Sequence, residues 1–394
     1  MIVLDIVLAA LAMAMAVPVL ILAVEVLAAC LPARAASAGA DTMARPRIAV
    51  LVPAHDEEAG IEATIRSLLP ELADGDRLLV VADNCTDATA AVARAAGAEV
   101  IERQDPLRRG KGYALDFGVR HLESQPPDVV LVIDADCRVS PGMPAVLAAT
   151  AVKEGRPVQA FNQVNSSPDP SPRDRIAAFA WTVKTHVRPM GLRALGLPCQ
   201  LMGTGMAFPW PVIRDAELAT GHLVEDLKLG LDLAAAGAAP LYCPGVRVIS
   251  DAPSAEGAVT TQRQRWETGS LQILLGTAPR MILRALRSGR FNLLAMALDL
   301  LVPPLMLLVM VLGGLLAVTA VSWLVGGSSL TLIVAAVAFT ALVLTLILAW
   351  LRHARHTVSI ADLAQLPAIL VRKLSFYAQS WRNRNRGWIR TDRQ

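Results

Sequence analysis

The stretch Val129-Val130-Leu131-Val132-Ile133-Asp134-Ala135-Asp136 decides the fold. An unbroken apolar run rich in β-branched residues reads as a strand buried on both faces, the pattern of parallel sheets. The two aspartates stand where that strand ends. Residues two apart on a strand share a side, so both carboxylates converge at its carboxyl end, where open α/β sheets bind ligands. Two hard oxygen donors there suit Mg2+ or Mn2+, which neutralises a diphosphate. The competing reading is an ordinary strand-ending turn, in which Asp is common.

Upstream, Arg47 to Pro53 and Asp76 to Asp83 read as two further strands, and Glu99 to Glu102 as a short third. Helices are expected over 57–72, over 86–96 with Gly97 as its stop, and over 110–122. This β-α-β-α order predicts a Rossmann-like α/β domain with a mostly parallel sheet covered on both faces. Residues 151–260 are less regular. A polar, Pro-rich loop is expected over 165–172, a helix over 176–187, a tight backbone element at Gly203-Thr204-Gly205, a helix over 224–236 and a strand pair over 239–250.

The ends of the chain differ from its middle. Of the 394 residues, 54% are hydrophobic, above the globular norm of about 45 to 50%, and the excess is terminal. Residues 1–31 are apolar apart from Asp5, Pro18 and Glu25, enough to cross a bilayer. A cleaved signal peptide is the rival reading, but the start lacks a basic region, whereas Arg34, Arg45 and Arg47 follow the segment. Positive charge marks the cytoplasmic side, so the amino terminus is expected outside and residue 45 onward inside. Glu25 is read as an interfacial carboxylate. Residues 279–298 mix Arg280, Arg284, Arg287 and Arg290 with apolar residues at helical spacing, which predicts an interfacial amphipathic helix. Residues 300–351 predict a transmembrane hairpin, its first helix kinked by Pro303 and Pro304, and residues 352–394 form a basic tail with a further amphipathic helix. The expected location is multi-pass in the inner (plasma) membrane, with the lipid bilayer as a partner.

A net charge of +3 with no basic stripe interleaved with aromatics argues against nucleic acid. The five cysteines show no metal-ligand spacing and read as free thiols in a reducing compartment.

Around the central strand lie further polar groups. Pro53-Ala54-His55-Asp56-Glu57 and Ala82-Asp83-Asn84-Cys85-Thr86-Asp87 set carboxylates and amides at neighbouring strand ends, suited to a nucleobase and ribose. Capping by Asp56 and Thr86 competes with that reading. Arg108-Arg109-Gly110-Lys111-Gly112 offers cations near phosphates but is not a P-loop, since no Ser or Thr follows Lys111. Glu225-Asp226 opens a helix, where compensation of the helix dipole competes with a role as base for an acceptor hydroxyl. In Gln262-Arg263-Gln264-Arg265-Trp266 a cation for diphosphate and an aromatic for a sugar stand together, with an interfacial belt as the alternative.

In that order these motifs resemble the family 2 glycosyltransferases, and in particular the membrane-bound branch that includes cellulose, chitin and hyaluronan synthases. The resemblance covers about residues 47–270 and the flanking membrane architecture. It implies a GT-A fold over a cytoplasmic domain at 45–270, a nucleotide-sugar donor (usually a UDP-sugar), Mg2+ or Mn2+, and inversion at the anomeric carbon. Carried over by position, Asp56, Glu57 and Asp83 hold the nucleoside, Lys111 lies near the donor, Asp134 contacts the donor and Asp136 holds the metal. Asp226 is the general base. Gln262 and Arg265 close over the diphosphate, while Gly203, Thr204, Gly205, Glu225 and Trp266 face the acceptor. Asp56 stands where the family often has Asn, and Val224 where Thr is frequent. The implied acceptor is a glycan or a lipid-linked sugar in exopolysaccharide or cell-surface glycan synthesis, with an oligomer or export subunits as possible partners. The alternative is a non-catalytic membrane-bound nucleotide-sugar sensor on the same fold.

Overall fold

A computed structural model describes residues 2–32, 45–165, 169–222, 224–251, 269, 271 and 273–371. These fall into two compact units.

The first unit, residues 45–165 and 196–251, is built on one eight-stranded sheet. Its strands are β1 (Ile48–Ala54), β2 (Arg77–Asp83), β3 (Glu99–Arg103), β4 (Val129–Val132), β5 (Cys137–Val139), β6 (Val158–Asn165), β7 (Met206–Pro209) and β8 (Leu241–Asp251). They lie in the order β3-β2-β1-β4-β7-β6-β8-β5. The first four are mutually parallel, and β7 runs antiparallel to both β4 and β6. The apolar runs imply this mostly parallel sheet, and it is GT-A-like, as the resemblance implies.

Alternation along those runs supplies both faces of the sheet. Val50, Val52, Val80 and Leu131 pack with Ile61, Ile65 and Leu68 of the Ile61–Leu68 helix on one side. Leu51, Leu79, Val81 and Val130 pack with Leu115, Val119 and Leu122 of the Lys111–Leu122 helix on the other. Gly118 has no room for a Cβ against the Leu51 and Val81 side chains, so this helix sits close on the sheet.

Several elements differ from expectation. The expected helix over 57–72 begins only at Ile61, because residues 55–60 form a loop in which the Glu57 amide donates to Thr89 Oγ1 at 2.7 Å. The next helix starts at Thr89 behind Ala88, and Asp87 Oδ1 accepts the Thr89 amide at 3.0 Å; the Thr86 amide instead donates to Asp56. The expected strand pair over 239–250 is the single strand β8, and its parallel pairing with β6 shifts register between Ala160 and Phe161.

The second unit gathers the apolar helices Ile2–Ala29, Leu305–Leu324 and Ser329–His353, each long and apolar enough to cross a membrane. Pro304 precedes the second of them as its cap and does not kink it. Asp5 Oδ1 accepts the Ser328 amide at 3.1 Å, so the start of the first helix and the hairpin loop share one end of the unit. Toward the other end lies Glu25, which the sequence presents as an interfacial carboxylate. It is buried and accepts from Arg188 Nε at 2.6 Å, while Arg188 Nη2 reaches the Asp299 side chain and its carbonyl, the latter at 2.8 Å. Gly191 lies against the Glu25 backbone, where a Cβ has no space. The expected helix over 279–298 is two, Ala278–Ser288 and Phe291–Asp299, parted at Gly289, which takes a left-handed φ of 64°.

Candidate active site

The site is built where β1, β2 and β4 end. Beyond Val132 the chain leaves β4, and Asp134-Ala135-Asp136-Cys137 closes a turn in which the Cys137 amide donates to the Asp134 carbonyl at 3.1 Å. The stretch is thus a strand-ending turn, and both aspartates lie beyond the strand whose two-residue period was expected to place them on one side. Ala135 between them is buried, its carbonyl accepting Thr64 Oγ1 at 2.7 Å. Oxygens of Asp134 and Asp136 and the sulfur of Cys137 all lie within 4.8 Å of one another. Burial first, then Asp136 and Asp134, pushes the Cys137 thiol up, while the two carboxylates beside it are hard oxygen donors. That donor chemistry fits a divalent cation of the Mg2+ or Mn2+ kind.

Lys111 opens its helix against this turn. Its ammonium pairs with the Asp134 carboxylate and donates to the Gly203 carbonyl at 2.8 Å. Burial alone would pull it down, but Asp134, Glu225 and Asp226 outweigh burial and hold it above the ordinary lysine range. It is a permanent cation among three carboxylates.

Glu225 and Asp226 begin the Glu225–Ala236 helix, and Asp226 Oδ1 accepts the amide of Leu227 at 2.8 Å. This is partly the expected compensation of the helix dipole. Asp226 Oδ2 nevertheless faces Gly203, 3.4 Å from where a Cβ would stand. Burial, then the neighbouring Asp226, pushes Glu225 up to about 7. The proton belongs to the pair. If the pair acts as the base, kcat rises with pH across neutrality as that proton leaves. Glu225→Gln removes the coupling, and the acid limb of a kcat–pH profile is expected to move to lower pH; an unmoved limb separates it from this pair.

The nucleoside candidates gather at the ends of β1 and β2. Asp56 and Asn84 both take left-handed φ values, 52° and 53°, which short polar side chains tolerate. Asp56 Oδ1 accepts the Thr86 amide at 2.6 Å. Asp83 is buried and accepts from Arg103 Nη1 at 2.6 Å and Asn84 Nδ2 at 3.0 Å. Arg103 also stacks over Tyr113, 5.5 Å from the ring centroid. Sequence reasoning missed Arg103, the last residue of β3, which lies one position beyond the expected strand and pairs in register with Asp83.

It also missed Gln159. Fully buried on β6, its Nε2 donates to the carbonyls of Ala160 at 2.8 Å and Thr204 at 2.9 Å, and its Oε1 accepts the Met202 amide at 2.8 Å. Gly203 and Gly205 take left-handed φ values of 84° and 68°, and Thr204 Oγ1 accepts the Asp134 amide at 3.0 Å. Gln159 thus braces the segment that carries the Gly203 carbonyl to Lys111. Gln159→Leu strands buried backbone groups and is expected to cost about 1–3 kcal/mol in thermal unfolding, with activity falling further than folding; full activity at lowered stability would separate the brace from the site. Gly112 serves the same region: a Cβ there would stand 2.5 Å from the Leu218 carbonyl oxygen. Gln262, Arg265 and Trp266 lie outside the described residues.

Residues 46–269 match the family model described as Glycosyltransferase like family 2. A segment of 96 residues is 43% identical to glucosyl-3-phosphoglycerate synthase of Mycobacterium tuberculosis, covering 23% of this chain and 28% of that protein. The chain thus matches little more than a quarter of that relative's length. A mannosyltransferase from Pyrobaculum calidifontis, solved in complex with GDP-Man and Mn2+, aligns over 88% of this chain and 98% of its own at 18% identity with a TM-score of 0.53, a likeness of fold. Glucosyl-3-phosphoglycerate synthase from Mycobacterium tuberculosis, solved with Mn2+, UDP and glucosyl-3-phosphoglycerate, aligns over 56% of this chain and 78% of its own at 25% identity with a TM-score of 0.39. The family match takes in more than half of the chain, and the protein belongs to the glycosyltransferases of family 2.

Proposed function

We propose that this glycosyltransferase is a membrane-anchored, inverting hexosyltransferase that moves a sugar from a nucleotide-sugar, first of all a UDP-sugar, to a glycan or lipid-linked acceptor of an exported or cell-surface glycan. The observation that carries the reading is the shared ammonium of Lys111, which pairs with the Asp134 turn and the Gly203 carbonyl and feels the charges of Glu225 and Asp226. Groups assigned to donor and to acceptor meet within the reach of one side chain.

In this reading Asp56, Glu57 and Asp83 hold the nucleoside, Asp134 and Lys111 the donor sugar and phosphates, and Gln262 and Arg265 the diphosphate. Gly203, Thr204, Gly205, Glu225 and Trp266 line the acceptor side. Asp136, with Asp134 beside it, would hold Mg2+ or Mn2+, which neutralises charge on the departing diphosphate. Asp226 takes the proton of the acceptor hydroxyl as that oxygen bonds to the anomeric carbon and the nucleoside diphosphate leaves from the opposite face.

Residues 1–31 and 300–351 then form three spans, before and after a cytoplasmic catalytic domain at 45–270 in the sequence. The bond from Asp5 to the hairpin loop supports an outer side shared by the amino terminus and that loop, with Arg352 and Arg355 at the cytoplasmic end. Exposed Arg280, Arg284 and Arg287 beside exposed Leu283 and Leu286 suit a helix in the headgroup layer of the inner (plasma) membrane.

A nucleotide-release screen of the full chain in detergent, across UDP- and GDP-sugars with Mg2+ or Mn2+, tests the reading. Release with one donor class that chelator abolishes supports it. Donor binding without release makes the chain a nucleotide-sugar sensor and overturns it.

A further inference from the structure

A second group of metal-ligating side chains lies apart from the Asp134-Asp136 turn. His55 and Asp56 follow β1, Cys85 follows β2, and one ligand atom from each falls within 4.8 Å of the others. The set differs in kind from the carboxylate pair. Imidazole nitrogen, carboxylate oxygen and thiol sulfur suit a thiophilic ion such as Zn2+ or Co2+, whereas two carboxylates suit Mg2+ or Mn2+.

Two details point to a ligand site and not to a chance gathering. The His55 ring holds its Nδ1 2.7 Å from the carbonyl of Asp83. A carbonyl can only accept, so Nδ1 carries a proton there, and Nε2 is the nitrogen on the metal side of the ring. This is the outer hydrogen bond that fixes ring and tautomer in metal-bound histidines. Nε2 lies 4.0 Å from Asp56 Oδ2. The second detail is the aim of the other two groups. Asp56 is turned by its left-handed backbone and held by the Thr86 amide, and its own amide donates to Cys85 Sγ at 3.4 Å, which fixes the sulfur beside it. Ligand atoms around a tetrahedral zinc lie roughly 3.5 Å apart, given bonds of about 2.0–2.3 Å.

We propose that His55, Asp56 and Cys85 form a binding site for a thiophilic divalent cation, three protein ligands with a fourth position open to water, and that its occupation inhibits the enzyme by displacing the nucleoside of the donor. The inhibition rests on the reading of Asp56 and Asp83 as the nucleoside end; the metal site itself does not.

The test is Co2+ titration of the full chain in detergent with Mg2+ present and thiols reduced, read by the sulfur-to-cobalt charge-transfer absorbance. The expected result is a saturable band that Zn2+ displaces, that Cys85→Ser and His55→Gln remove and that Cys137→Ser leaves intact. No band, a band that survives Cys85→Ser, or one lost only in Cys137→Ser overturns the site. UDP added to the cobalt-loaded chain is expected to bleach the band, and Zn2+ to inhibit nucleotide release at least tenfold less potently in Cys85→Ser than in the native chain. A Cys85-dependent band that UDP leaves untouched upholds the metal site and overturns the nucleoside reading, so the two failures are told apart.

Discussion

Asp226→Asn is expected to lower kcat by about 1000-fold, the middle of the range for losing a general base, with donor affinity unchanged within about threefold. The substitution is chosen for what it keeps. Asn has the volume of Asp, and its side-chain oxygen can still accept the Leu227 amide that Asp226 accepts now, so the helix start survives. It cannot take up a proton. Nucleotide release at saturating donor and acceptor gives kcat, and calorimetric titration gives donor affinity. A variant within tenfold of the native rate removes Asp226 as the base and passes the role to Glu225, whose carboxyl is already poised near neutrality.

Arg188→Leu has the largest expected effect on folding. Its guanidinium is the cation between Glu25 and Asp299, and all three side chains are almost wholly buried. Removing one partner of a buried ionic group leaves its counterions uncompensated, at a cost of about 3–5 kcal/mol. A Tm lowered by about 10 °C follows for a unit of this size, measured by thermal unfolding in detergent. Combining Glu25→Gln and Asp299→Asn with Arg188→Met is expected to recover part of the loss, because no bare charge remains. If Arg188→Leu melts within 2 °C of the native chain, the triad does not hold these helices together.

That triad shows where sequence reading stops. Glu25, Arg188 and Asp299 are separated by 163 and 111 residues, and nothing local to Glu25 distinguishes a buried pair from an interfacial carboxylate. The central strands were legible for the opposite reason. Runs such as 48–52 and 129–133 are apolar at every position, so a parallel sheet with two covered faces was the only economical way to bury them. β6 was hidden because Gln159, Asn162 and Gln163 interrupt its apolar pattern; the first two are buried and donate to the carbonyls of Thr204 and Met202, and the third bonds Asn165 and Arg247. β5 is three residues long, too short for periodicity to register. Where a strand pair over 239–250 was expected, β8 absorbs Pro244-Gly245 as an irregularity within one strand. The candidate positions at strand ends stand out by motif and spacing. Their partners, Arg103 for Asp83 and Thr86 for Asp56, do not, because they are fixed only when neighbouring strand ends come together.

The central claim is a single displacement in which Asp226 activates the acceptor opposite the departing nucleoside diphosphate. The most direct measurement is the anomeric configuration of the first-formed product, read by proton NMR from an α-linked nucleotide-sugar with the full chain and Mg2+ or Mn2+. A β-linked product is the predicted result; an α-linked product, with the donor's configuration retained, contradicts the displacement and the role of Asp226 in it.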